Sequence, residues 1–243
     1  MAEQLTEART RVRDVDALRG FALLGIFIVN ITFMASGYPG SLVTDPAFSS
    51  PFDDVVRALS SVFVDMKFYL LFSFLFGYSF TLQVEAAARA GAAFAPRRLQ
   101  WIGFPVGIAG GVTYALGGGN GNTLAVAASI ATAPLLTSAY VATLLRVMHH
   151  PRTAFVRDAL APAGRIALTN YLAQALFGLL VFTGVGLGLA GTFSPLATTG
   201  LAVFFYAVQL AGSAWWLRRF RYGPAEWLLR WITNARRPAW RVA

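Results

Sequence analysis

Seven polar side chains stand where a polar group costs free energy and could therefore do chemistry. Asp16 and Arg19 sit three apart where a long apolar run begins, and Asn30 lies further along that run. Arg165 precedes a second run that carries Asn170 and Gln174, four apart and so one helical turn, while Gln209 stands nine residues before Arg218. On a helix rising about 1.5 Å per residue, Gln209 falls roughly 13 Å inside the level of Arg218, with Gln174 at a similar depth. Amides at that depth either hydrogen-bond across a helix pair for stability or line a polar pocket. With Asp16, Arg19 and Arg165 at its rim, such a pocket would hold a lipid headgroup or small anion. Arg19 can equally pair with Asp16 and snorkel.

Other chemistry-bearing residues are few. Asp65 and Lys67 stand two apart, point apart on a helix, and are expected to meet headgroups or the loop at Asp45–Asp54. A proton-coupled role for Asp65 is the less favoured reading. His149 and His150, before Pro151 in a basic stretch, read as a solvated turn and are the only histidines. No Cys is present, which excludes disulfides, thiolate catalysis and Cys-ligated metals. No metal site and no cofactor is expected.

The elements that must position these groups are membrane-spanning helices. Of 243 residues, 56% are apolar and only 13% charged, with mean hydropathy +0.58, whereas soluble domains keep about a quarter charged. Basic residues outnumber acidic ones by nine, but they flank apolar runs as arginines, so nucleic acid is not the expected partner. Six runs are long enough to span: Leu18–Ala35, Phe68–Val84, Leu99–Leu116, Leu124–Met148, Ile166–Ala190 and Ala197–Leu217. A cleaved signal peptide over the first 36 residues is disfavoured by four acids ahead of the run and the lack of an A-x-A site.

This gives an all-α, single-domain, polytopic bundle over residues 1–243, with a polar cytoplasmic tail at 1–17, six spans over 18–217 and a basic cytoplasmic tail at 218–243. With both ends cytoplasmic, eighteen of the twenty basic residues fall inside, against Arg57 and Lys67 outside. All six tryptophans sit at or beyond the inner helix ends, the level indole prefers. The stretch from Asp53 carries Val55, Val56, Leu59, Val62 and Phe63 as an amphipathic segment on the outer interface. Gly117–Thr123 is a turn.

Gly103, Gly107 and Gly111 recur four apart, a pattern that lets two helix backbones approach. The partner is a helix of the same chain or, as the sharper reading, a second copy in a homo-oligomer. Pro105 and Pro134 are expected to kink their helices. In the C-terminal tail Pro224 and Glu226 suit a helix start, Glu226 and Arg230 stand four apart, and indole and leucine share a face. That segment reads as an interfacial anchor, and its arginines would draw anionic lipid.

RDVDALRGFALLGIFIVNI, KFYLLFSFLFGYSF from Lys67, GRIALTNYLAQALF from Gly164 and FRYGPAEWLLRWIT from Phe220 together resemble the YeiB-like family of bacterial inner-membrane proteins, which carry a domain of unknown function. The resemblance covers about half the chain. It implies a bacterial inner-membrane location and a loosely transport-related role. Through the Asp16–Gly20 opening the family is distantly similar to transmembrane acyltransferases. Those use an early His, and this chain has none there to deprotonate an acceptor. Binding of a lipid or small amphipathic molecule between helices is therefore the first reading, a structural subunit the second and an acyltransferase-like enzyme the third.

Overall fold

In the computed structural model of the chain, the described residues are 2–36, 48, 50–65, 67, 68, 70, 71, 96–117, 121–234 and 237–241. Among them the chain is helical: α1 (Ala2–Ala35), α2 (Pro51–Phe63), α3 (Pro96–Leu116), α4 (Thr123–His149), α5 (Phe155–Arg165), α6 (Ala167–Phe182), α7 (Pro195–Leu217) and α8 (Pro224–Asn234). Three of these are long and apolar enough to cross a membrane: α1 from Arg13, α4 and α7. The broken pair α5–α6 makes a fourth if it counts as one span. The run at Phe68–Val84 lies mostly outside the described residues.

Helix α1 begins far earlier than the apolar run alone indicates. Residues 2–17 contain no Gly or Pro and several strong helix formers, so nothing stops the helix before the apolar run. It is also the best buried of the spans, with Ala17, Leu18, Ala22, Leu23, Ile26, Phe27 and Ile31 each 2% exposed or less. Around the N-terminal part of its apolar run pack Phe68, Leu71, Met148 and Ala161, and around the C-terminal part Phe182 and Ala202. Rings reinforce the second cluster, where Phe177 and Phe205 stack at 4.1 Å and Phe205 tilts against Phe27 at 5.5 Å.

The run beginning at Ile166 starts as expected, with α6 at Ala167, but a second helix, α5, meets it there at a sharp angle. Ile166 leaves helical geometry (φ −114°, ψ 42°), and α5 and α6 meet at 75°. Two glycines set this break. Gly164 lies so close to α1 that a Cβ there would collide with the carbonyl oxygen of Asp16, and a Cβ on Gly20 would collide with the carbonyl oxygen of Leu160. Backbone-to-backbone contact holds α5 across α1, and the chain must then turn to send α6 along it. At its other end α6 stops at Phe182, eight residues before the expected limit. The stretch after it turns through Gly188 and Gly191 at positive φ, and Gly191 N–H donates to Ala35 O at 2.7 Å, tying down the end of α1.

Helix α2 turns its polar side inward. Asp53, Arg57 and Ser61 are buried, while Phe52, Val55 and Leu59 are 76%, 56% and 52% exposed. Arg57 donates both terminal nitrogens to Phe48 O at 3.1 Å and pairs with Asp54. Asp53 accepts from Ser50 Oγ at 2.6 Å and, at 3.5 Å, from the Leu196 N–H that opens α7. The outward apolar face matches a lipid surround and would be costly in water.

Helices α3 and α4 form an antiparallel pair and run through Pro105 and Pro134 as continuous helices. The glycine stripe faces α4 at Gly103 and Gly107 and α2 at Gly111. A Cβ on Gly103 would enter the Leu135 carbonyl, one on Gly107 the Leu136 side chain, and one on Gly111 the Val62 backbone of α2. The stripe is therefore occupied within the chain.

Candidate functional site

The break between α5 and α6 leaves orphaned backbone groups, and the polar residues that stand out in the sequence converge on it. Asn170 Nδ2 donates to Ala163 O at 3.0 Å, satisfying a carbonyl at the end of α5, and to Ser213 Oγ of α7 at 2.9 Å. Gln209 Nε2 of α7 donates to Asn170 O at 3.0 Å, and Gln174 Nε2 donates to Gln209 Oε1 at 2.8 Å. Asn170, Gln174, Gln209 and Ser213 are all buried. A break between helices leaves backbone groups that need partners, and Asn170 takes up the Ala163 carbonyl on one side of it.

The other side is closed by a residue whose role the sequence does not reveal. Glu226, on α8, accepts from the Leu168 and Thr169 backbone N–H groups at 2.7 and 3.1 Å and from Thr169 Oγ1 at 2.5 Å. It caps the start of α6 from another helix, where α6 itself has no capping side chain. The spacing suggested a pair with Arg230, but Arg230 lies over the Tyr222 ring at 4.7 Å. Arg237 similarly lies over Trp227, and Arg219 over Trp215. The segment after α8 folds back so that Trp216, Phe220, Trp227 and Trp240 form one aromatic cluster, with Trp227 Nε1 donating to Pro238 O at 3.0 Å.

The charged rim and the amides are separate. Arg19 and Asp16 approach at 3.4 Å, and Arg165 donates to Arg221 O at 3.2 Å. Among the described residues, the side-chain hydrogen bonds of Asn170, Gln174 and Gln209 run to one another, to Ala163 and to Ser213. The rim is instead a set of polar contacts joining α1 to α4 and α5: Arg13 pairs with Asp158 at 2.8 Å, Arg157 lies 3.8 Å from Asp14, and His149 Nε2 lies 3.3 Å from the same carboxylate. His149 is thus more than a solvated turn, since its other ring nitrogen lies 2.8 Å from Leu145 O.

Asn30 lies on a cleft of about 260 Å³ between α1 and α6. Phe27, Ile31, Phe33, Met34 and Ala175 supply its apolar wall, and Asn30, Tyr171 and Gln174 its polar part. Gln174 is the point where the amide chain reaches this cleft. Its Oε1 has no hydrogen-bond partner among the described residues. Of the seven polar residues singled out, the structure brings Asn170, Gln174 and Gln209 into one chain, puts Asn30 across the cleft from its end, and leaves Asp16, Arg19 and Arg165 at the rim.

Lys67 is also placed otherwise than helical spacing indicates. Because α2 ends at Phe63 and a turn follows, the Lys67 side chain swings inward and is fully buried. Its Nζ donates to Ser61 O at 2.9 Å and to Ser129 Oγ of α4 at 3.5 Å, and Asp65, itself buried, contributes the opposing charge. Neither residue faces headgroups.

Comparison with known proteins adds kinship without an activity. The chain is 36% identical over 137 residues to the uncharacterized protein YxaH of Bacillus subtilis (strain 168), covering 56% of this chain and 33% of that one. It is 33% identical over 108 residues to an uncharacterized 39.9 kDa protein in the amylase 3' region of Bacillus acidopullulyticus, covering 44% and 31%. To the uncharacterized protein YeiB of Escherichia coli (strain K12) it is 40% identical over 75 residues, covering 31% and 19%. The chain thus spans about a third or less of the curated relatives it matches. No solved structure matches it. Residues 86–236, more than half the chain, match a family described as a protein of unknown function (DUF418), and the chain belongs to that family.

Proposed function

We propose that the chain is a multi-pass protein of the bacterial inner membrane that holds a lipid or small amphipathic molecule between α1 and α6. The observation that carries this is the cleft itself, about 260 Å³, apolar along one wall and polar where Asn30, Tyr171 and Gln174 meet. Ligand sites have that composition, a mostly apolar surface with a few placed polar groups. The six-span course with both ends cytoplasmic rests on eighteen of twenty basic residues falling on one side. Under it, α8 lies in the inner interface. Leu228, Leu229, Trp231 and Ile232, all exposed, would enter the acyl boundary while the surrounding arginines meet anionic headgroups.

The test is native mass spectrometry of the full chain released from lipid nanodiscs, comparing wild type with Ala175→Trp, which fills the cleft from an exposed wall position. The expected result is one retained amphiphile per wild-type chain and its loss in the variant. Equal retention by both, together with a density map showing an empty cleft, would overturn the reading.

A further inference from the structure

The polar part of the cleft has a chemical character that narrows what it accepts, provided the cleft reading above holds. Among the described residues its lining carries no Asp, Glu, Lys, Arg or His. Against these residues a phosphate or carboxylate would sit in an apolar wall with no counter-ion among them, which is strongly unfavourable.

The amide orientations then decide what a neutral head must offer. The Asn170 backbone oxygen can only accept, so Gln209 must turn Nε2 toward it. That leaves Gln209 Oε1 facing Gln174, which must answer with its own Nε2. Reversing either side chain would set oxygen against oxygen. The chain therefore ends on Gln174 Oε1, an acceptor with no donor among the described residues, on a side chain only 3% exposed that forms part of the cleft wall. A buried acceptor without a donor is destabilising, and an occupant of the cleft is the group placed to supply one. Size adds a limit. Sites for whole drug-sized ligands run from about 300 to 1,000 Å³, so this cleft suits one acyl arm and a compact head.

We infer that the cleft between α1 and α6 selects a neutral amphiphile whose small head donates a hydrogen bond to Gln174, of the kind offered by the free hydroxyl of a diacylglycerol.

The experiment titrates delipidated, detergent-purified full chain with three short-chain probes read by native mass spectrometry. These are dioctanoylglycerol, its acetylated form, which lacks the donor, and dioctanoyl phosphatidic acid, which is anionic. The expected result is one dioctanoylglycerol per chain, with the other two at least about tenfold weaker, as for a site left with an unpaired polar group. Gln174→Leu should erase the preference between the hydroxyl and acetyl forms. If that variant does not fold, the wild-type comparison still decides. Equal binding of the acetylated form or of phosphatidic acid, abolished by Ala175→Trp, overturns this inference and leaves the cleft as a lipid site. Binding that Ala175→Trp leaves unchanged, or no binding at all, overturns both.

Discussion

Replacing Glu226 by Ala removes one carboxylate that ends three hydrogen bonds, two of them to backbone N–H groups at the start of α6. Loss of an ordinary N-terminal cap costs about 0.5–2 kcal/mol, and hydrogen bonds to a charged group contribute about 1.5–3 kcal/mol each when buried. Glu226, Leu168 and Thr169 are half-buried, so water recovers part of the loss. A net destabilisation of about 2–3 kcal/mol is expected. For a chain of this length that lowers the melting temperature by about 4–12 °C. Intrinsic fluorescence during thermal unfolding in detergent reads it directly, because Trp227 neighbours Glu226 in the same aromatic cluster. Glu226→Gln keeps one carbonyl acceptor for the backbone N–H groups but loses the charge, and should show about half the drop. Melting of both variants within about 1 °C of wild type would refute the capping role and, with it, the account of how the broken helix is closed.

Two further substitutions test the packing. Gly107→Leu drives a side chain into Leu136, so it should destabilise the α3–α4 pair by about 1–3 kcal/mol and lower the yield of monodisperse protein. A smaller oligomer on a sizing column, with the melting temperature intact, would instead make the stripe an interface between copies. Lys67→Met removes an ammonium that is fully buried against Ser61 O and Ser129 Oγ and leaves Asp65 without its opposing charge. A loss of about 2–4 kcal/mol in chemical unfolding is expected, partly restored by adding Asp65→Asn. No change in the single variant would show that the ammonium is not held there.

The helical architecture was legible because its cause is local. Runs of apolar residues long enough to span a bilayer are a one-dimensional signal, and α3, α4 and α7 fall within three residues of the limits drawn from hydropathy. The meeting of Gln174 with Gln209 was legible for the same reason, since depth follows from residue count along a straight helix.

What the tertiary structure decided is everything set by one element pressing on another. The run drawn from Ile166 begins where α6 begins, but hydropathy did not show that a separate helix, α5, meets it there at a sharp angle, because Gly164 seats α5 directly on the α1 backbone and forces the turn. That break assigns Asn170 to Ala163 and Ser213 and recruits Glu226, 58 and 57 residues away in sequence from Leu168 and Thr169, as the cap of α6. Lys67 faces inward only because α2 ends four residues earlier, so the periodicity of a helix no longer governs its direction. The glycine stripe specified close approach but carried no address for its partner. α4 and the end of α2 supplied one, as only a folded chain can.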